Sequence, residues 1–135
     1  MGRIVLKWGG GVITEKSAHC IARREMIASL SECAVKLAYA GHEVIIVHGA
    51  GSFGHIDAKH YRLNEGYLGD LSESGINQIE GVDVVRKQMN YLNSLVHDHL
   101  SEAASRVGKE DVKELLIITH EPRDFALNSG ADFAG

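Results

Sequence analysis

The sequence predicts an α/β fold built on a parallel sheet, and three observations carry that prediction. Two short apolar runs, Ile4-Val5-Leu6 and Val44-Ile45-Ile46-Val47, each end in a glycine-rich turn. A stretch of helical periodicity lies between them, and a much longer one follows the second turn. Strand, helix and strand in this order make a βαβ unit, whose crossover is right-handed.

Each element follows from local chemistry. Ile4-Val5-Leu6 runs into Lys7-Trp8 and then Gly9-Gly10-Gly11, which reads as a buried strand stopped by a sharp turn. From about Ile21 to Ala40, the residues Ile27, Leu30, Ala34, Leu37 and Ala38 recur at three- and four-residue spacing, the mark of an amphipathic helix. Gly41 stands where a left-handed C-cap belongs. Val44 to Val47 is apolar at every position, which suits a parallel strand covered by helices on both faces. After the HGAGSFGH turn, Ile56 to about Leu63 reads as a short helix, and the polar, glycine-containing stretch Asn64 to Gly75 as a mobile loop. A long helix follows, roughly Ile76 to Val107, with Ile79, Val82, Val85, Met89, Leu92, Val96 and Leu100 as its apolar stripe. Leu115 to Thr119 reads as a third buried strand, and HEPRDFALNSGADFAG shows no periodicity. Three strands leave at least one raw sheet edge, so the chain is expected to be part of a larger protein.

Bulk properties narrow the function. With 135 residues there is enough chain for one packed core. A net charge of -4 gives no electrostatic case for nucleic acid or an anionic membrane. No run approaches the ~18 apolar residues of a membrane span. Two cysteines, Cys20 and Cys33, show neither zinc nor disulfide spacing, so a reduced, cytoplasmic setting is expected.

The chemistry is concentrated in the two glycine turns. In open α/β sheets ligands bind beyond the carboxyl ends of the strands, where such turns collect. Glycine lets backbone approach an anion closely, and a following helix offers free N–H groups. A single glycine turn can serve only to end a strand. Two of them, each beside a cationic or titratable side chain, point to phosphate. Gly49, Gly51 and Gly54 have G-x-G-x-x-G spacing, but the acidic residue of the dinucleotide fingerprint is missing. Gly-Lys-Ser/Thr is also absent, so this is not a Walker A loop.

The stretch Ile4-Val5-Leu6-Lys7-Trp8-Gly9-Gly10-Gly11-Val12-Ile13-Thr14-Glu15-Lys16, followed by Val47 to His55, resembles the amino-acid-kinase superfamily. The continuation Ser52-Phe53-Gly54-His55 is narrower and resembles the isopentenyl phosphate kinases and, next, the fosfomycin kinases. The resemblance covers most of this chain but only about the N-terminal half of such a kinase. It implies a parallel-sheet sandwich of the amino-acid-kinase type, with residues 1–135 as the N-terminal, acceptor-phosphate-binding lobe. The nucleotide lobe would then lie beyond Gly135. The implied reaction is transfer of the γ-phosphoryl of ATP, with Mg2+, to isopentenyl phosphate in isoprenoid synthesis.

The same resemblance assigns roles. Lys7 matches the lysine that stabilises the transferred group, and Lys16 a second lysine from a hairpin-like segment. Gly9, Gly10, Gly11 and Gly51 match backbone contacts to ATP phosphates. Ala50, Gly54 and His55 match contacts to the acceptor phosphate, and His55 marks an acceptor that already bears phosphate or phosphonate. Val82, Val85 and Met89 would border the prenyl tail. No protein metal ligand is implied, and a homodimer formed through this lobe is. A phosphonate kinase of the fosfomycin type, or a lobe that binds anions without catalysis, are the alternatives.

Other residues read more plainly. His48 is expected to bond backbone at its strand end. His97 and His99 point to different helix faces and make a poor metal pair. His19, His42, His60 and His120 show no ligand-like grouping. Gly11 stands where many relatives carry serine, and Trp8 where a small or branched aliphatic residue is usual; Trp8 is expected to press on the glycine loop.

Overall fold

The computed structural model describes residues 1–108, 115–124, 127–129 and 132–134. Strand β1 (Arg3–Trp8) leads through a one-turn helix α1 (Gly10–Ile13) to helix α2 (Arg24–Tyr39) and strand β2 (Glu43–His48). β1 and β2 pair in parallel, with Leu6 opposite Ile46, Lys7 opposite Val47 and Trp8 opposite His48. Both glycine turns therefore leave the same end of the sheet, side by side. Helices α3 (His55–His60) and α4 (Gln78–Val107) follow, and α4 is about 45 Å long at 1.5 Å per residue.

The termini of these helices follow sequence rules. Gly41 adopts φ +100°, and His42 N–H donates to Leu37 O (3.2 Å) while Gly41 N–H donates to Ala38 O (3.0 Å). This is a Schellman cap, the left-handed close expected at that glycine. At the start of α4, the Asn77 side chain accepts from Glu80 N–H at 3.2 Å.

One core unites the elements. Trp8, Ile13, Ile27, Ala34, Phe53, Leu92, Leu95 and Val96 are buried together, with Leu6, Val44 and Ile46 packed against them. α2 and α4 pack on each other above one face of the sheet. The apolar stripe of α4 is buried from its middle onward. Ile79 (71% exposed) and Val82 project away from the packed face, because the first turns of α4 bury Gln78 and Gly81 instead, the latter against Tyr61.

Three expectations need correction. β2 is not covered on both faces: among the described residues Val5 (62% exposed), Ile45 and Val47 leave one face open, since α2 and α4 both lie on the other. Residues 115–119 are not a strand. Their β-branched run gives extended propensity, but a strand needs a neighbour's N–H and C=O groups, and no ladder among the described residues engages them; Leu116 and Ile118 are exposed. The segment without periodicity contributes instead an antiparallel ladder, β3 (Leu127–Ser129) with β4 (Asp132–Ala134). Residues 64–75, expected to be a loop, contain two short 3₁₀ turns, and the buried Gln78 ties the segment down. Its amide donates to Arg62 O (3.1 Å) and Gly66 O (3.0 Å) and accepts from Leu68 N–H (2.9 Å). No helix among the described residues is long and apolar enough to cross a membrane.

Candidate functional site

The two glycine turns interlock backbone to backbone. Gly49 N–H donates to Trp8 O at 2.9 Å, extending the β1–β2 ladder into the turns. A Cβ on Gly49 would lie 2.7 Å from Gly10 N, and one on Gly10 would lie 2.6 Å from Gly51 Cα. Gly51 takes φ +51°, and a Cβ there would strike Thr14 Oγ1 and come within 2.5 Å of Gly10 O. Real Cβ atoms do not approach so closely, so these three positions demand glycine for proximity, and Gly51 also for conformation.

Thr14 joins the turns. It is fully buried; its hydroxyl donates to Gly10 O (2.6 Å) and accepts from Ser52 N–H (3.0 Å). Sequence reading did not single out Thr14, although it sits inside the quoted Ile13-Thr14-Glu15-Lys16 run. Its partner is 38 residues away, and nothing local marks it. Trp8 is 4% exposed and sits in the core with Ile13 and Phe53, one from each turn.

The segment between Thr14 and Ala22 is hairpin-like. Thr14 and Ala22 form an antiparallel bridge, Glu15 N–H donates to Ile21 O (2.9 Å), and Arg23 N–H to Ile13 O (2.8 Å). This folds Lys16 back over the first turn: a Cβ at Gly11 would land on the Lys16 Cε and lie 3.3 Å from its Nζ. The glycine at position 11 therefore makes room for the lysine. Lys7 lies on the open face of the sheet beside Val47, at the mouth of the turns, and is exposed.

The second turn continues as a 3₁₀ turn, Gly51–Phe53, into α3. Its Phe53 is buried, ring centroid 6.1 Å from Tyr91 on α4, which anchors the turn to the long helix. His55 is the first residue of α3 and is exposed. A Cβ at Gly54 would lie 2.7 Å from the Ala50 Cβ, 3.7 Å from Met89 Sδ and 3.8 Å from Val85 Cγ1. The second turn thus packs against the half-buried part of the α4 stripe. His48 does bond backbone, through Nδ1 to Gly49 O (3.0 Å), and its Nε2 meets the Asn93 amide of α4 at 3.0 Å. His99 bonds Leu95 O along its own helix.

A second polar group lies beside the first. His19 Nε2 meets Asp57 Oδ2 at 2.6 Å, and Cys20 Sγ lies 3.7 Å from the same nitrogen. Burial pushes the Asp57 carboxyl up, but hydrogen bonds from His19 and Gln88 and the nearby His19 and His60 rings outweigh it, leaving it below the ordinary carboxylate value. Burial, then the Asp57 charge, pushes the Cys20 thiol up, so it is no ready thiolate nucleophile. Sequence spacing gave His19 no ligand-like grouping because Asp57 is 38 positions on.

Comparison with known proteins agrees with this architecture. Residues 2–123 match the family described as the amino acid kinase family. The isopentenyl phosphate kinase of Thermoplasma acidophilum is 36% identical over 104 residues, 76% of this chain and 38% of that protein. The crystal structure of the T. acidophilum isopentenyl phosphate kinase product complex matches with a TM-score of 0.61 at 33% identity, covering 76% of this chain and 39% of that one. A further isopentenyl phosphate kinase X-ray structure matches with a TM-score of 0.74 at 26% identity, covering 98% of this chain and 49% of that one. The chain spans less than half the length of each.

Proposed function

The chain belongs to the amino acid kinase family, and from that premise we propose that it is the acceptor-phosphate lobe of a kinase that transfers the γ-phosphoryl of ATP to isopentenyl phosphate. One observation carries the choice of acceptor. Gly54 is buried against Ala50 on one side and against Val85 and Met89 on the other, so the glycine-rich turn that would seat the phosphate packs directly beside an apolar helix stripe. A phosphate with a short alkyl tail needs that pairing. Similarity to isopentenyl phosphate kinases over three quarters of the chain supports the same reading.

Two anionic groups must meet in this reaction, so catalysis is mostly positioning and charge stabilisation. Lys16, folded over Gly11, supplies positive charge at the turn formed by Gly9, Gly10 and Gly11. Lys7 supplies a second from the end of β1. Close backbone packing at Gly10 and Gly51 leaves these turns free of side chains that would block an approaching phosphate. His55 donates a hydrogen bond to the acceptor phosphate, and Ala50 and Gly54 shape its seat. Val85 and Met89 take the tail, with the exposed Val82 one turn further out. Mg2+ enters with ATP and neutralises phosphate oxygens; it is held by the nucleotide, and no residue of this chain is assigned to it.

The test is ligand binding to this chain, followed by NMR shifts at Gly51, Gly54, His55 and Met89. Isopentenyl phosphate is expected to shift all four, and His55→Ala to weaken binding about ten- to a hundredfold, the worth of one charge-assisted hydrogen bond. Binding of fosfomycin with no binding of isopentenyl phosphate would move the assignment to a phosphonate kinase. Inorganic phosphate binding as tightly as isopentenyl phosphate would leave only an anion-binding lobe.

A further inference from the structure

The geometry points to a zinc-class metal site formed by His19 Nε2, Cys20 Sγ and an Asp57 carboxylate oxygen. These three donor atoms all lie within 4.8 Å of one another. Tetrahedral zinc, with bonds of roughly 2.0–2.3 Å, holds its donors roughly 3.3–3.7 Å apart. The His19–Cys20 separation of 3.7 Å already meets that spacing. The His19–Asp57 contact of 2.6 Å is a hydrogen bond that must open by less than about 1 Å to admit the ion.

Two independent features mark the place. Cys20 holds φ +52°, a left-handed conformation costly for any residue but glycine or asparagine. A turn needing only that conformation is better served by glycine; cysteine keeps a sulfur aimed at His19 and Asp57. Second, Gln88 Oε1 on α4 is buried without a hydrogen-bond partner, while its amide nitrogen lies 3.5 Å from His19 Nε2. A half-turn of that terminal amide exchanges its nitrogen, 3.5 Å from His19 Nε2, for the unpartnered oxygen, and gives up the hydrogen bond to Asp57 in doing so.

The donor set selects the ion. Nitrogen, thiolate and a single carboxylate favour zinc over magnesium, so this site is separate from the Mg2+ that accompanies ATP. Ligation takes the thiolate, and the thiol proton passes to solvent. The ion would staple the Thr14–Ala22 hairpin, which carries Lys16, to α3, which begins with His55. The inference does not depend on the kinase reading.

Cobalt(II) is the probe, added to the intact chain without nucleotide or acceptor. We expect one equivalent to give a thiolate-to-cobalt charge-transfer band and visible bands of four-coordinate intensity. Zinc should displace it, and Cys33→Ser should leave the spectrum unchanged. Cys20→Ser should abolish the charge-transfer band, and His19→Ala should weaken zinc binding by at least about tenfold. Should Cys20→Ser fail to fold by circular dichroism, Asp57→Asn serves as the second variant, with the same loss of zinc affinity expected. Wild-type chain that takes up no cobalt at equimolar concentration, or a band that survives Cys20→Ser or follows Cys33, overturns the site.

Discussion

The Thr14 hydroxyl accepts the Ser52 backbone N–H at 3.0 Å, joining the two glycine turns through one buried side chain. Thr14→Val keeps the shape and removes the acceptor, leaving the Ser52 N–H buried and unpaired. The expected cost is about 1–3 kcal/mol. Thr14→Ser should recover most of it, and urea unfolding of the three chains measures both. Equal midpoints for threonine and valine would show that the bond does not hold the turns.

Gly51→Ala and Gly69→Ala separate proximity from conformation. Both glycines have positive φ, +51° and +79°, but only Gly51 meets neighbours where a Cβ would stand. Gly69→Ala should cost about 1–2 kcal/mol, the strain of a left-handed residue. Gly51→Ala should cost clearly more, and a similar loss in both would mean that the turns separate to admit a methyl group.

The partial burial of α4 has its own test. Leu92→Ala removes a fully buried side chain and should cost about 2–5 kcal/mol. Ile79→Ala, on the same apolar stripe but exposed, should stay within about 0.5 kcal/mol. A large loss for Ile79 would mean that its face of α4 is covered in solution.

Gly11→Ala should leave the urea midpoint nearly unchanged, because the clashing atoms belong to the mobile end of Lys16. It should still displace that lysine from above the turn. ATP affinity, measured by calorimetry on the same variant, is expected to fall; unaltered affinity would separate Lys16 from the phosphates.

Acid should loosen the α2–α4 contact slightly. Lys36 hydrogen-bonds Glu32 at 2.7 Å and Arg106 reaches it at 3.4 Å, which lowers the Glu32 carboxyl from its ordinary value. A lowered folded-state pKa means stability present above the unfolded value, about 4.3, and lost as pH falls through the folded one. All three groups are solvent-exposed, so the effect is small and should vanish in high salt. Glu32→Gln should differ from wild type above that window and converge with it below; a difference that persists in acid would refute an ionic origin.

How much was legible depended on how local each signal was. Lys7 with Gly9 to Gly11, and the run from His48 to His55, announce themselves because each is one continuous stretch. Gly41 is legible for the same reason: a helix cap is decided within a few residues. Thr14 with Ser52, and His19 with Asp57, are pairs across 38 positions that only the folded chain brings together. Leu115 to Thr119 failed differently, since β propensity is a property of residues while a strand is a property of pairs. Val5, Ile45 and Val47 misled in the same way, their composition indicating a buried face that the packing leaves open.

The backbone interlock also governs which parts of this chain can change length. Gly10, Gly49 and Gly51 fit because each stands a fixed count of residues from its strand end. One residue inserted between Trp8 and Gly10, or between His48 and Gly51, would carry a side chain into a space that holds none. Both intervals are inelastic. Further along, Gly66, Gly69 and Gly75 meet nothing within 4 Å, so additions there disturb only the ties to Gln78. Insertions and deletions among descendants of this sequence should therefore collect around residues 66–75 and avoid both turns.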